Sequence, residues 1–205
     1  MDELAPALAT QVLAQGWIQW VSFFSGILYI YYATRNNPWC WPWGIISSGF
    51  WAYASWFQLH LFSDSILQAI YVVLGFMGWY QWLRNNQTGI QKNPALPITQ
   101  YSSKSLLMLI IFSLLPAVAL GYFMHFTSAA FPYIDAFLTV YSLLATWMLV
   151  NRKIENWILW ILINFLSVPL FVLRGGHLFG LLFLIYGVLA IRGWKTWRTQ
   201  LITNY

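Results

Sequence analysis

Long apolar stretches recur along the chain, each interrupted by a short cluster of charge, proline or amide side chains. A helix that crosses a bilayer needs about 20 mostly apolar residues, and on that ruler seven helical segments are expected. The first runs from about Trp17 to Ala33 and stops at Thr34-Arg35-Asn36-Asn37-Pro38. The second begins near Trp41-Pro42, where proline is tolerated in a first helical turn, and reaches about Leu59. After His60 the third covers about Phe62 to Leu83. Arg84 to Ser103 is polar and carries Pro94 and Pro97, which predicts a loop. The fourth helix is expected over Lys104–Met124, the fifth over Tyr133–Val150, the sixth over Asn156–Leu173 and the seventh over His177–Trp197.

Composition turns these helices into membrane spans. Of the 205 residues 60% are hydrophobic and 7% charged, whereas a soluble domain carries about 25% charge. An all-α integral membrane protein surrounded by lipid is the expected class. The single cysteine, Cys40, excludes an intrachain disulfide, and no Cys/His spacing suggests a metal site. Met1 to Gln15 lack the basic start and small-residue cleavage site of a signal peptide, so insertion is expected to rely on the helices themselves.

The formal net charge of +5 does not point to nucleic acid, because basic residues of membrane proteins collect in cytoplasmic flanks. In a seven-helix arrangement Arg35, Arg84, Lys92, Lys104, Arg152, Lys153, Arg192, Lys195 and Arg198 share one side, and Arg174 stands on the other. The N-terminus, with Asp2 and Glu3, is therefore expected outside and the C-terminus inside, with Arg152, Lys153 and Glu155 among the headgroups. Six spans would scatter these charges. Trp17, Trp39, Trp41, Trp79, Trp82, Trp194 and Trp197 fall at helix ends, where indoles commonly anchor the interface.

The third and seventh helices resemble each other. Ile70, Tyr71, Val73, Leu74, Gly78, Trp79 and Trp82 recur as Ile185, Tyr186, Val188, Leu189, Gly193, Trp194 and Trp197, a constant offset of 115 as from Tyr71 to Tyr186. Both helices end on the basic side. The chain thus reads as two parallel triplets, 17–83 and 133–197, joined by the loop 84–103 and a linker helix 104–124. Such 3+1+3 repeats place substrate sites at the repeat interface near mid-membrane.

Polar residues inside hydrocarbon are costly and face a cavity or a partner helix. On the sixth helix Trp157, Trp160, Asn164 and Ser167 form one stripe; on the third, Asp64, Gln68, Tyr71, Gly75, Gly78 and Trp79 form another. Gln68 reads either as a ligand contact or as an interhelical hydrogen bond, and Asp64, nearer the outer boundary, as a surface or gate residue. At the offset of 115 the seventh helix has Phe179 and Phe183 where the third has Asp64 and Gln68. The second helix carries Ser47, Ser48, Trp51, Ser55 and Gln58, with Gly44 and Gly49 permitting close helix approach. Pro169 favours a kink beside Asn164. His60, His125 and His177 sit near the outer ends without metal spacing. There is no nucleophile with an adjacent base, no pair of central acids and no phosphate-cradling glycine loop, so neither an enzyme nor an ion-coupled pump is indicated. Indole, phenol and carboxamide groups suit a flat, polar, cationic ring.

Glu155-Asn156-Trp157-x-x-Trp160-x-x-x-Asn164, Ser167-Val168, Leu61 to Gln68 and Gly78-Trp79-Tyr80-x-Trp82 together make the chain resemble the PnuC family of vitamin transporters. The resemblance implies a SWEET-like fold, a homotrimer, no cofactor, and facilitated diffusion of nicotinamide riboside, an NAD precursor, across the bacterial inner membrane. A cytoplasmic kinase would trap the vitamin by phosphorylation. It nominates Trp160, Asn164 and Gln68 as substrate contacts, followed by Trp157, Tyr186 and Tyr71. Leu181-Leu182-Phe183 departs from the polar seventh helix of many relatives, which keeps thiamine open as the cargo. A non-transporting membrane scaffold or receptor subunit is the alternative from another class.

Overall fold

The computed structural model describes residues 4–58, 62–84, 97–127 and 131–203. Its elements in order are α1 (Leu4–Ala14), α2 (Trp17–Thr34), α3 (Cys40–Tyr53) continued by a π-helical turn (Ala54–Gln58), α4 (Phe62–Arg84), α5 (Ser103–His125), α6 (Pro132–Val150), α7 (Asn156–Leu173) and α8 (His177–Thr203). Seven of these follow the expected segments closely, and α1 was not foreseen. Its Gln11 explains why it docks: Nε2 donates to the Gly175 carbonyl at 2.6 Å, and Oε1 accepts from the Leu178 N–H at 2.9 Å. His60, Lys92, Pro94 and most of the expected 84–103 loop lie outside the described residues.

Helices α4 to α8 are long and apolar enough to cross a membrane. Helix α2 draws much of its apolar surface from Trp and Tyr, and α3 has 14 residues before its backbone widens. Helices α2, α3 and α4 pack in sequence, as do α6, α7 and α8; α2 then meets α8, and α4 meets α6. Helix α5 packs on α6. Its approach is pinned where Thr99 exchanges backbone hydrogen bonds with Arg152 and Ile154, both at 3.0 Å, and where the Tyr101 N–H donates to Glu155 Oε1 at 2.7 Å.

The turns that open α3 and α7 are built alike. Asn36 and Arg152 both adopt positive φ, 54° and 49°. The N–H of Asn36 donates to Ala33 and that of Asn37 to Tyr32, while Arg152 donates to Leu149 and Lys153 to Met148, the same Schellman-type closure displaced by 116 residues as from Asn36 to Arg152. The helices then restart at equivalent places, with Cys40 and Asn156 fully buried and Trp41 and Trp157 following them.

Four indoles converge at this end. Trp82 Nε1 donates to the Val150 carbonyl at 2.9 Å, and Trp197 Nε1 donates to the Ala33 carbonyl at 3.1 Å, so α4 holds the last turn of α6 and α8 the last turn of α2. Trp41 meets Trp82 edge-on at 5.3 Å, Trp157 meets Trp197 edge-on at 5.5 Å, and Trp82 and Trp197 lie 6.2 Å apart. Gly78 and Gly193 are what allow the rings in, since a Cβ at either would overlap Trp41 or Trp157. Trp41, Trp82 and Trp197 are therefore core residues, not interfacial anchors, because the helix ends converge and turn their indoles inward. Trp17 and Trp39 are exposed as expected.

Arg152 is likewise in the protein and not among headgroups. It is fully buried, and its guanidinium lies 4.2 Å from the Trp82 ring centroid; Glu155 is buried too. Burial lowers the Arg152 pKa to about 10, which leaves it cationic at neutral pH. At the other end Arg174 closes on Asp135 at 2.7 Å and ties α7 to α6.

Overpacking of a filled contact costs about 1–3 kcal/mol. Gly78→Val and Gly193→Val are expected to lower the thermal stability of the purified protein, read as loss of the monodisperse peak after heating. Gly49→Val should not, because Gly49 faces open space and does not mediate the close approach its spacing suggested.

Candidate functional site

Helix α7 presents the stripe read from the sequence. Asn164 is buried, and its Nδ2 donates to the Trp160 carbonyl one turn back at 2.7 Å. Among the described residues its Oδ1 accepts no hydrogen bond, so the carboxamide is held with its acceptor unused. Ser167 Oγ is spent on the Ile163 carbonyl at 2.8 Å. Trp160 is half-buried and packs against both hydrophobic clusters of the bundle, the one around the four indoles and the one between α5, α6 and α7. Helix α7 runs unbroken through Pro169 to Leu173.

Three phenols enter the bundle from different helices. Tyr71 of α4 donates to Ser142 Oγ of α6 at 2.5 Å. Tyr186 of α8 sits against Gly26 of α2, where a Cβ would collide with its hydroxyl. Tyr29 of α2 lies within electrostatic reach of both Tyr71 and Tyr186. Tyr71 and Tyr186, related by the offset of 115, thus occupy matching α4–α6 and α8–α2 contacts. Tyr29 was missed in the sequence because a phenol within an apolar run carries no motif. Its sign was the buried face shared with Ser22, Ser25 and Gly26.

Gln68 stands on α4 one turn from both Asp64 and Tyr71, half-buried, and among the described residues its amide has no hydrogen-bond partner. Trp157 is not with Trp160 and Asn164. It is fully buried among the four indoles, and its Nε1 makes no hydrogen bond among the described residues. The serines of α3 act as helix contacts: Ser47 Oγ donates to the Ser22 carbonyl at 2.8 Å, and Ser22 Oγ to the Ser47 carbonyl at 2.9 Å.

The π-helical turn of α3 organises the end opposite the four indoles. Its widened backbone brings Ser55 Oγ to 2.6 Å and Trp51 Nε1 to 2.7 Å from the same oxygen, Asp64 Oδ2. Ser65 donates to the Ala52 carbonyl at 2.9 Å at the start of the widened turn. Asp64 is therefore a held, half-buried carboxylate and not a plain surface group. Trp51 also meets Phe179 edge-on at 5.6 Å, and Phe171 continues the aromatic wall to Phe179 and Phe183.

Two apolar grooves on α2 and α3 lie elsewhere, lined by residues such as Trp17, Trp20, Phe24, Trp43 and Phe50. They offer almost no polar group and suit acyl chains better than a polar solute. Among the described residues no cluster of acidic, His and Cys side chains is arranged to hold a metal.

The model of the nicotinamide mononucleotide transporter family matches residues 16–199. The chain belongs to that family. It is a PnuC-like vitamin transporter and a multi-pass membrane protein. Curated relatives include the riboflavin/roseoflavin transporter RibM of Streptomyces davaonensis, 24% identical with 88% of this chain and 84% of the relative covered. The nicotinamide riboside transporter PnuC of Escherichia coli is 25% identical, with the same shares covered. That of Neisseria mucosa is 24% identical over 92% of this chain and 74% of the relative. The crystal structure of a vitamin B3 transporter PnuC shares the fold, with a TM-score of 0.76 at 20% identity over 98% of this chain and 89% of that one.

Asn164→Leu removes the unused acceptor while keeping a helix-forming side chain of similar size. It is expected to leave the protein folded by size-exclusion chromatography and to weaken vitamin binding by more than the roughly 1 kcal/mol of one net hydrogen bond. Calorimetric titration measures the loss.

Proposed function

We propose that this protein admits nicotinamide riboside through the bacterial inner membrane by facilitated diffusion, and that a cytoplasmic kinase makes uptake one-way by phosphorylating it. The carrying observation is the Trp160–Asn164 pair on α7, an indole beside a carboxamide with a free acceptor, in a chain of the nicotinamide mononucleotide transporter family. The ring stacks on indole, a contact that contributes roughly 0.5–2 kcal/mol to a cationic guest. The amide reads its hydrogen-bonding edge, with Gln68, Tyr71 and Tyr186 completing the lining, while Trp157 stays in the indole cluster.

The proposed architecture is seven spans in a SWEET-like 3+1+3 parallel repeat, with 17–83 and 133–197 as the two triplets, 84–103 as the cytoplasmic loop and 104–124 as the linker helix. The repeated α3 and α7 turns, the crossed Trp82 and Trp197 hydrogen bonds and the matching Tyr71 and Tyr186 contacts support it. The distribution of basic residues supports an external N-terminus and a cytoplasmic C-terminus. The resemblance to PnuC proteins supports a homotrimer.

A second reading, riboflavin, is favoured by the similarity to RibM. Thiamine shares the charge and aromaticity of nicotinamide riboside and stays within the same chemistry. Purified protein in liposomes is expected to equilibrate labelled nicotinamide riboside without sodium, a proton gradient or ATP. Excess unlabelled nicotinamide riboside should suppress the flux more strongly than riboflavin or thiamine. No flux above empty liposomes contradicts transport of this vitamin, and stronger suppression by either competitor reassigns the cargo.

A further inference from the structure

We propose that Asp64 is the charge-reading residue of the transport path, selecting a cationic N-alkylated aromatic ring over a neutral ring of the same shape; this rests on the function proposed above. The carboxylate is built into place from two sides. Ser55 and Trp51, both on α3, donate to Oδ2 alone, at 2.6 and 2.7 Å. They come within reach of one oxygen because the helix widens into a π-helical turn at Ala54–Gln58, a local irregularity that recurs at functional sites. Among the described residues Oδ1 has no hydrogen-bond partner, and it is not among the buried polar atoms.

Both donors are neutral, so they orient the carboxylate without cancelling its charge. Among the described residues the ion pair at this end of the bundle is Arg174 with Asp135, and Asp64 has no cationic partner. Arg35, Arg84, Arg152 and Arg192 belong to the opposite helix ends. A half-buried carboxylate held by neutral donors, with no counter-ion among the described residues, is complementary to a cation arriving from outside the protein.

The surroundings specify what kind of cation. Trp51 joins the carboxylate to Phe179, and the rings continue through Phe171 and Phe183 towards Tyr186 at centroid separations of 5.6, 5.7, 4.9 and 6.5 Å. A compact inorganic cation would find one carboxylate and, among the described residues, no cluster of acidic, His and Cys side chains to hold it. A flat organic cation finds a charge partner and aromatic edges and faces along the same wall. Gln68, one turn further into α4, then offers the amide. The halves of the protein divide the work: α4 supplies acid and amide, and α8 supplies Phe179 and Phe183 at the matching positions. A neutral flavin would gain nothing from Asp64.

The test compares nicotinamide riboside with its 1,4-dihydro form, the same nucleoside without the ring charge, by calorimetric titration of the full-length protein. The unaltered protein is expected to prefer the cation by at least about tenfold, Asp64→Asn to lose most of that preference and Asp64→Glu to retain it. A residue that merely ties α3 to α4 would weaken both ligands together and leave the ratio unchanged, and that result overturns the proposal, as does equal binding of the two forms by the unaltered protein. Should Asp64→Asn not fold, Trp51→Phe withdraws one of the donors that aim the carboxylate and must lower the same ratio; an unchanged ratio is again contradictory. If the unaltered protein binds neither form, the function proposed above fails and this inference with it. If it binds nicotinamide riboside without regard to charge, only the role of Asp64 fails.

Discussion

Two crossed hydrogen bonds hold the basic end of this protein together: Trp82 to the Val150 carbonyl and Trp197 to the Ala33 carbonyl. Each uses a carbonyl in the last turn of a helix, where intrahelical partners run out away from water; that of Ala33 accepts from the Asn36 N–H as well. Because the donors come from α4 onto α6 and from α8 onto α2, capping these helix ends also closes the bundle. Single interhelical hydrogen bonds in membrane proteins contribute roughly 0.6 to 1.7 kcal/mol, so the pair holds without locking. Edge-on indole contacts add about 0.5–1.5 kcal/mol each, and Arg152 on Trp82 adds a cation–π contact.

The path above the clasp is asymmetric in its chemistry although its framework repeats. Helices α4 and α8 share Tyr, Gly and Trp positions at an offset of 115, as from Gly78 to Gly193, because those residues meet equivalent surroundings: Gly78 admits Trp41 of α3 and Gly193 admits Trp157 of α7, while Trp82 and Trp197 reach the ends of α6 and α2. Asp64 and Gln68 have Phe179 and Phe183 as counterparts, a difference that the function proposed above explains by their facing a solute that is itself asymmetric. A polar edge needs amide and acid, and a ring face needs aromatic carbon. Among the described residues no titratable group stands among the phenols and the carboxamide at the centre beyond the tyrosines.

Much of this was legible in the sequence, and the losses have physical causes. The helix ends were visible because Arg, Asn and Pro interrupt apolar runs, and α4 to α7 agree with those limits to within a residue or two. Helix α1 was not visible: its attachment depends on one glutamine amide, Gln11, which has no periodic signature. The indoles at 41, 82 and 197 read as interfacial because an end-of-helix tryptophan looks the same whether it faces headgroups or protein; only the glycines opposite them, Gly78 and Gly193, carried the distinction. The π-helical turn was hidden because Ser55 and Asp64 reveal their pairing only once α3 and α4 are packed. The α7 stripe was seen, yet Trp157 and Trp160 proved to have different surroundings, since residues three apart on a tilted helix can address different neighbours. The matching α3 and α7 turns share almost no residue identity, so geometry alone discloses them.

The central claim is that the vitamin lies between α7 and α4, above a clasp of four tryptophans. A structure of the protein determined with nicotinamide riboside bound tests it most directly. The account predicts density for the ring beside Trp160, with its amide within hydrogen-bond distance of Asn164 and a second polar contact to Gln68, while Trp82 and Trp197 keep their carbonyl partners in any form closed on the basic side. Ligand density confined to the outward apolar grooves near Trp17 and Trp43, or no contact with Trp160 and Asn164, would contradict it.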